Sequence, residues 1–135
     1  MKLLLICSKR FYPRLAAIAD ALKRQGHEVV FPNCYDRPGA EDATRTDPLR
    51  HAAFKAEMFR RSDRTIAGCD GVLTLNFPKD GDRDFYIGGA TFLEVYDAFR
   101  HGKAIYFYYP YDNCFFKDEL DGFSPIVLNG DLTRI

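Results

Sequence analysis

Lys2 to Cys7 is a short, continuous apolar run, and the pattern downstream of it leaves few folds open to the chain. A run without a polar face belongs to a strand covered on both sides, as in parallel sheets. From Pro13 to Gln25 the residues Leu15, Ala16, Ile18, Ala19 and Leu22 keep helical spacing, with Pro13 suited to the first turn and Gly26 to the C-terminal cap. Glu28 to Phe31 then reads as a second short strand. Strand, helix and strand in such close succession predict a right-handed parallel crossover unit.

The rest of the chain continues the alternation. Pro32 to Pro48 has three prolines, a glycine, many charges and no periodicity, the character of a long binding loop, a lid or a surface excursion. Leu49 to Arg64 returns to helical spacing through Phe54 and Met58, and Gly71 to Asn76 reads as a third strand. A polar loop from Phe77 to Asp84 precedes a helix from about Thr91 to His101, whose Phe92, Val95, Tyr96 and Phe99 are expected in the core. Ala104 to Tyr109 is a fourth strand, Lys117 to Leu120 is weakly helical, and Pro125 to Leu128 is a fifth strand. The 135 residues suit one domain, 1–135. The expected architecture is a three-layer α/β sandwich, flavodoxin- or Rossmann-like, with a mostly parallel sheet of about five strands.

Charge narrows the partners. Lys plus Arg and Asp plus Glu number 19 each, so no net field favours nucleic acid or a membrane surface. The apolar start ends at Ser8-Lys9-Arg10, too short for a signal peptide, and no run approaches a membrane span. Cys7, Cys34, Cys69 and Cys114 form no metal-binding or C-x-x-C pattern and read as thiols in a reducing cytoplasm. Asp80, Asp82 and Asp84 hint at a calcium loop, but Thr91 stands where an EF-hand requires glutamate, so no metal is expected. His27, His51 and His101 lie at separate helix ends and are not read as ligands. Neither dinucleotide-binding nor P-loop glycine patterns occur, and no cofactor is expected.

In such a fold, ligands bind beyond the carboxyl ends of the strands. That places Ser8-Lys9-Arg10-Phe11, the Pro32 to Pro48 loop, the stretch from Asn76 to Gly89 and Tyr109 to Asn113 around one crevice. Within it, Tyr86-Ile87-Gly88-Gly89-Ala90-Thr91-Phe92-Leu93-Glu94 carries two glycines into a helix start, with a carboxylate one turn further on. Glu94 has two readings: a catalytic carboxylate, or the end of a Thr91-x-x-Glu94 capping box. On a helical wheel it lies opposite the aromatic face, which does not aim it at a buried pocket. Ser8, Lys9 and Arg10 suit phosphate oxygens or an ordinary exposed turn. Phe85, Tyr86 and Tyr111 suit base stacking or a core rim.

Together these segments resemble the nucleoside 2-deoxyribosyltransferase superfamily, which includes nucleotide N-glycoside hydrolases, and most closely an uncharacterised branch of it. The likeness runs through the Ser8 turn, Gly26-His27-Glu28-Val29 and Cys69-Asp70-Gly71-Val72-Leu73-Thr74-Leu75-Asn76. It continues through Tyr86 to Glu94, Ala98, Gly102-Lys103-Ala104-Ile105-Tyr106 and Pro125 to Leu132. The resemblance implies that Glu94 attacks C1′ of a (deoxy)ribose in a nucleoside or nucleoside 5′-monophosphate. Ser8, Gly88 and Gly89 would then lie near the 5′ end, with Lys9 and Arg10 favouring phosphate and Phe11 and Asn76 beside the ligand.

The superfamily's transferases carry an aspartate where this chain has Gly88, and a tyrosine in the first strand where it has Leu3, Leu4 and Leu5. Asp84 and Tyr86 are the candidates to take over those roles, and hydrolysis is favoured over base transfer. The resemblance also implies a homodimer or larger homo-oligomer. Two alternatives stand beside this reading: a non-catalytic nucleotide-binding or sensing domain, and a phosphoribohydrolase of the lysine-decarboxylase-like type.

Overall fold

The computed structural model describes residues 1–79 and 85–135. Five strands, β1 (Lys2–Ile6), β2 (Glu28–Val30), β3 (Gly71–Thr74), β4 (Ala104–Phe107) and β5 (Ile126–Val127), form one sheet in the order β2-β1-β3-β4-β5. Every strand pairing is parallel. Helix α1 (Leu15–Arg24) comes after a short 3-10 turn at Lys9–Arg14, and α2 (Pro48–Ala67), α3 (Gly89–Arg100) and α4 (Lys117–Phe123) complete the set. The fold is therefore the three-layer, flavodoxin- or Rossmann-like sandwich that the alternation predicted.

Side-chain alternation along each strand divides the core. Leu3, Leu5, Leu73 and Tyr106 pack with Leu15, Ala19 and Leu22 of α1. Leu4, Ile6, Val72, Ile105 and Phe107 face the opposite way, against Ile66 of α2, Val95 and Ala98 of α3, and Leu120 of α4. Each fully buried side chain of this size contributes roughly 1.5–3 kcal/mol relative to exposure. Continuous apolar strands are thus the direct consequence of helices on both faces. Gly71 opens β3 because the strands approach closely there: a Cβ would lie 2.9 Å from the Ala104 carbonyl oxygen.

Two local expectations are corrected. Helix α3 begins at Gly89 with Gly88 as N-cap, so Thr91 sits buried inside the first turn and the Thr91–Glu94 capping box does not form. The stripe that enters the core is Thr91, Val95 and Ala98. Phe92 stacks on Phe116 at 4.3 Å and Phe99 packs on Phe123 at 5.0 Å, while Tyr96 and Phe99 stay 43% and 49% exposed. The aromatic face meets α4, which has 7 residues and is too short to cover it.

Helix α2 starts earlier than its periodicity indicated. Pro48 occupies its first turn, and the Asp47 side chain caps it by accepting from the Arg50 amide at 3.2 Å. All four cysteines are free thiols. Among the described residues no helix is long and apolar enough to cross a membrane.

Candidate active site

Strand β1 lies between β2 and β3, and the helices after β1 and β2 pack on opposite faces of the sheet. Connections diverging in this way open a crevice at the carboxyl ends of β1 and β3. A cavity of about 910 Å³ occupies that end. Its wall is assembled from Cys7, Ser8, Lys9 and Tyr12 after β1, Asn33 to Tyr35 and Arg37 to Glu41 after β2, Lys55, Met58 and Ser62 of α2, and Tyr86, Gly88, Gly89 and Glu94.

Glu94 is half-buried, and its Oε1 accepts a 2.9 Å hydrogen bond from the hydroxyl of buried Ser62. Burial pushes its carboxyl up to about 7; Asp97 reinforces this, whereas the Ser62 hydrogen bond and the Lys55 charge oppose it. A carboxylate that changes charge near neutrality is suited to nucleophilic or acid–base work. Burial, then the charge of Glu94, pushes the Cys7 thiol up to about 12 and also raises the Tyr12 phenol, so both remain neutral beside it.

Three cations of the cavity, Lys9, Arg45 and Lys55, gather around a second carboxylate. Glu41 takes Lys55 Nζ on Oε1 at 2.9 Å and Lys9 Nζ on Oε2 at 3.0 Å. Lys9 also lies 3.6 Å from Asp42, which Arg45 holds at 2.8 Å. Burial acts to raise the Glu41 carboxyl, but the hydrogen bonds from Lys55 and Lys9 outweigh it and hold the group below its ordinary value. The Pro32 to Pro48 segment is in this way fastened across the cavity to the turn after β1 and to α2.

At the entrance to α3, Gly88 makes room for Tyr86. A Cβ at position 88 would stand 3.1 Å from the Tyr86 hydroxyl. The phenol therefore occupies the space into which a side chain at 88 would grow. Lys79 lies 4.8 Å and Arg10 5.6 Å from the centre of the Tyr86 ring. The N-cap of α3 is Gly88, which has no side chain to cap the helix, and the first turn from Gly89 to Thr91 lines the cavity.

Of the residues singled out from sequence, Glu94, Tyr86, Ser8, Lys9, Gly88 and Gly89 meet at this cavity. Arg10, Phe11 and Asn76 are not part of its lining. Phe11 is buried and packs edge-on against Phe77 at 5.4 Å. Asn76 is 1% exposed and holds the chain beyond β4, donating to the Tyr109 carbonyl at 2.8 Å and accepting from its amide at 2.9 Å. Its amide is thus used for structure. Asp84, and with it Asp80 and Asp82, lies outside the described residues.

Tyr12, Asn33, Glu41, Lys55 and Ser62 were not anticipated. One signal for Ser62 was present: Phe54, Met58, Ser62 and Ile66 fall four residues apart on α2, which places a lone hydroxyl on the helix's apolar stripe. No comparable local pattern marks the other four.

No protein-family model matches this sequence, and no curated protein matches it. Among solved structures, the fold is similar to that of the CMP N-glycosidase BcmB of Clostridium botulinum. The TM-score is 0.54 at 17% identity, over 94% of this chain and 84% of that one. At that identity the likeness is one of fold.

Proposed function

We propose that this chain is an enzyme that cleaves the N-glycosidic bond of a (deoxy)nucleoside or nucleoside 5′-monophosphate, with Glu94 as nucleophile and water as the preferred acceptor. The observation that carries the reading is the Glu94 carboxylate, oriented by Ser62 on the wall of a nucleotide-sized cavity at the sheet's carboxyl edge. The sequence resemblance and the N-glycosidase fold support it from outside the site.

The chemistry balances with the groups present. Glu94 attacks C1′ as the C1′–N bond breaks, and the bond's electron pair leaves on the base nitrogen, which takes a proton. Tyr86, which lines the cavity, is one candidate donor of that proton, and Asp84 is the other. Water then attacks C1′ of the glycosyl ester, returns a proton to the group that had protonated the base, and releases the sugar and Glu94. Gly88, standing where the transferases carry aspartate, favours hydrolysis over base exchange. Ser8 and the amides of Gly88 and Gly89 face the sugar's 5′ end, and Lys9 supplies charge there.

Association into a homodimer or larger assembly belongs to the proposal. The resemblance supports it, as do the exposed side chains of Leu93, Tyr96 and Phe99 along α3. Sedimentation of the purified chain tests it, and a monomer at every concentration overturns it.

The decisive experiment is incubation with a panel of nucleosides and 5′-monophosphates, with chromatography for free base. Base release that Glu94→Gln abolishes while the fold persists is the expected result. A ligand that raises the melting temperature without any base release would instead support a nucleotide-sensing domain. Release only from ribonucleoside 5′-monophosphates would fit the phosphoribohydrolase alternative as well.

A further inference from the structure

Asn33 and Ser62 stand outside the resemblance, yet with Glu94 ionised the direction of every hydrogen bond between them and Glu94 is fixed by chemistry. The Met58 carbonyl oxygen can only accept, so the Asn33 atom 3.0 Å from it is the amide nitrogen. That nitrogen also lies 2.8 Å from Ser62 Oγ. An amide nitrogen has two hydrogens and accepts nothing, so Ser62 Oγ is the acceptor in this contact. The single hydroxyl proton of Ser62 is thereby left for Glu94 Oε1, 2.9 Å away. The backbone carbonyl of Asn33 is itself held by the Tyr12 hydroxyl at 2.9 Å.

We propose that Asn33 and Ser62 are positioning residues for Glu94: they direct the Ser62 hydroxyl proton onto Oε1, which favours the ionised carboxylate and leaves Oε2 for the substrate. The inference rests on the reading of Glu94 as nucleophile and adds how that nucleophile is kept ready. Other groups around the carboxylate are Lys55 from α2, Asp97 from α3, and Cys7 and Tyr12 after β1. Lys55 favours the ionised form as Ser62 does, Asp97 opposes it, and the thiol and phenol carry no charge near neutrality. Ser62 acts through a fixed hydrogen bond, and so its effect withstands salt better than that of Lys55.

The test is a carbon-13 NMR titration of the Glu94 carboxyl in ligand-free protein, paired with the pH profile of base release. In Ser62→Ala the titration moves upward, the acid limb of the profile moves with it, and kcat on the acid side falls roughly tenfold, the worth of a hydrogen bond to a charged group. KM stays within about twofold, because the Ser62 hydroxyl is engaged by Asn33 and Glu94. Ser62→Thr restores both curves. Asn33→Asp, whose ionised side chain accepts the Ser62 proton, also moves the titration upward. An unchanged titration in folded Ser62→Ala overturns the proposal, whatever the activity. A shifted titration with an unshifted rate profile, or with no turnover of any substrate, supports the hold on Oε1 and overturns the assignment of Glu94 as nucleophile instead.

Discussion

Glu41 accepts a hydrogen bond from Lys55 at 2.9 Å, and this contact ties the segment after β2 to helix α2 across the mouth of the cavity. The other carboxylate oxygen of Glu41 holds Lys9 at 3.0 Å, so one side chain occupies two of the cations a substrate phosphate would seek.

Glu41→Gln is therefore expected to release both lysines and loosen the segment. Affinity for a nucleoside 5′-monophosphate should rise by about 5–30-fold, since a partly exposed charge contact is worth on the order of 1–2 kcal/mol. Affinity for the uncharged nucleoside should change little. Calorimetric titration of both ligands checks this, and equal changes for the two would show that Glu41 does not govern the cations.

Activity should rise with pH through about 7 as Glu94 ionises. Stability should run the other way. The folded state keeps the Glu94 proton up to about 7, against an ordinary value of 4.5. Between those values the folded chain binds more protons than the unfolded one, so rising pH removes stability. Glu94→Gln escapes this loss. Its advantage over the natural chain should be absent below pH 4.5, grow through the window and level off above 7, at about 1–3 kcal/mol. Urea melts of both proteins across that range measure it; a constant difference would mean that Glu94 is not buried as described.

Tyr86 and Gly88 are coupled by space. Tyr86→Phe removes the hydroxyl and should lower kcat by about 10–1,000-fold if the phenol protonates the base. Gly88→Asp alone should also lose activity, because its Cβ presses on that hydroxyl at 3.1 Å. In Tyr86→Phe/Gly88→Asp the obstruction is gone and a carboxyl is supplied, and part of the activity should return. Strict additivity of the two losses in single-turnover rates would show that the positions act independently.

Asn76→Ala should act on stability and leave ligand binding largely unchanged. The substitution removes a buried amide that serves both the Tyr109 amide and carbonyl, at a cost of about 1–3 kcal/mol. A lowered urea midpoint with unchanged ligand affinity is the expected outcome. The reverse pattern would return Asn76 to the binding site.

Local pattern sufficed where one segment carries its own physics. β1 is apolar on both faces because helices cover both faces, and that is readable from Leu3, Leu4 and Leu5 without a partner in view. The helix that follows Gly88–Gly89 was legible for the same reason, with its start placed two residues late at Thr91. The capping-box pattern misled because Thr91-x-x-Glu94 fits a helix start in isolation, whereas burial of Thr91 against the sheet required the helix to begin earlier.

The amino-acid sequence alone thus determined the order of strands and helices, and it pointed to the sheet edge where the cavity lies and to the Glu94 carboxylate on its wall. Tertiary structure decided what surrounds that carboxylate. Asn33, Ser62 and Glu94 lie 29 and 32 residues apart in sequence and meet because the crossovers bring the segment after β2, the C-terminal part of α2 and the second turn of α3 to one place. A hydrogen bond depends on position and direction in space, and no periodicity within a single segment encodes a contact between three. The same holds for Glu41 with Lys9 and Lys55, whose charges are unremarkable along the chain and become a lock only when folding sets them about 3 Å apart.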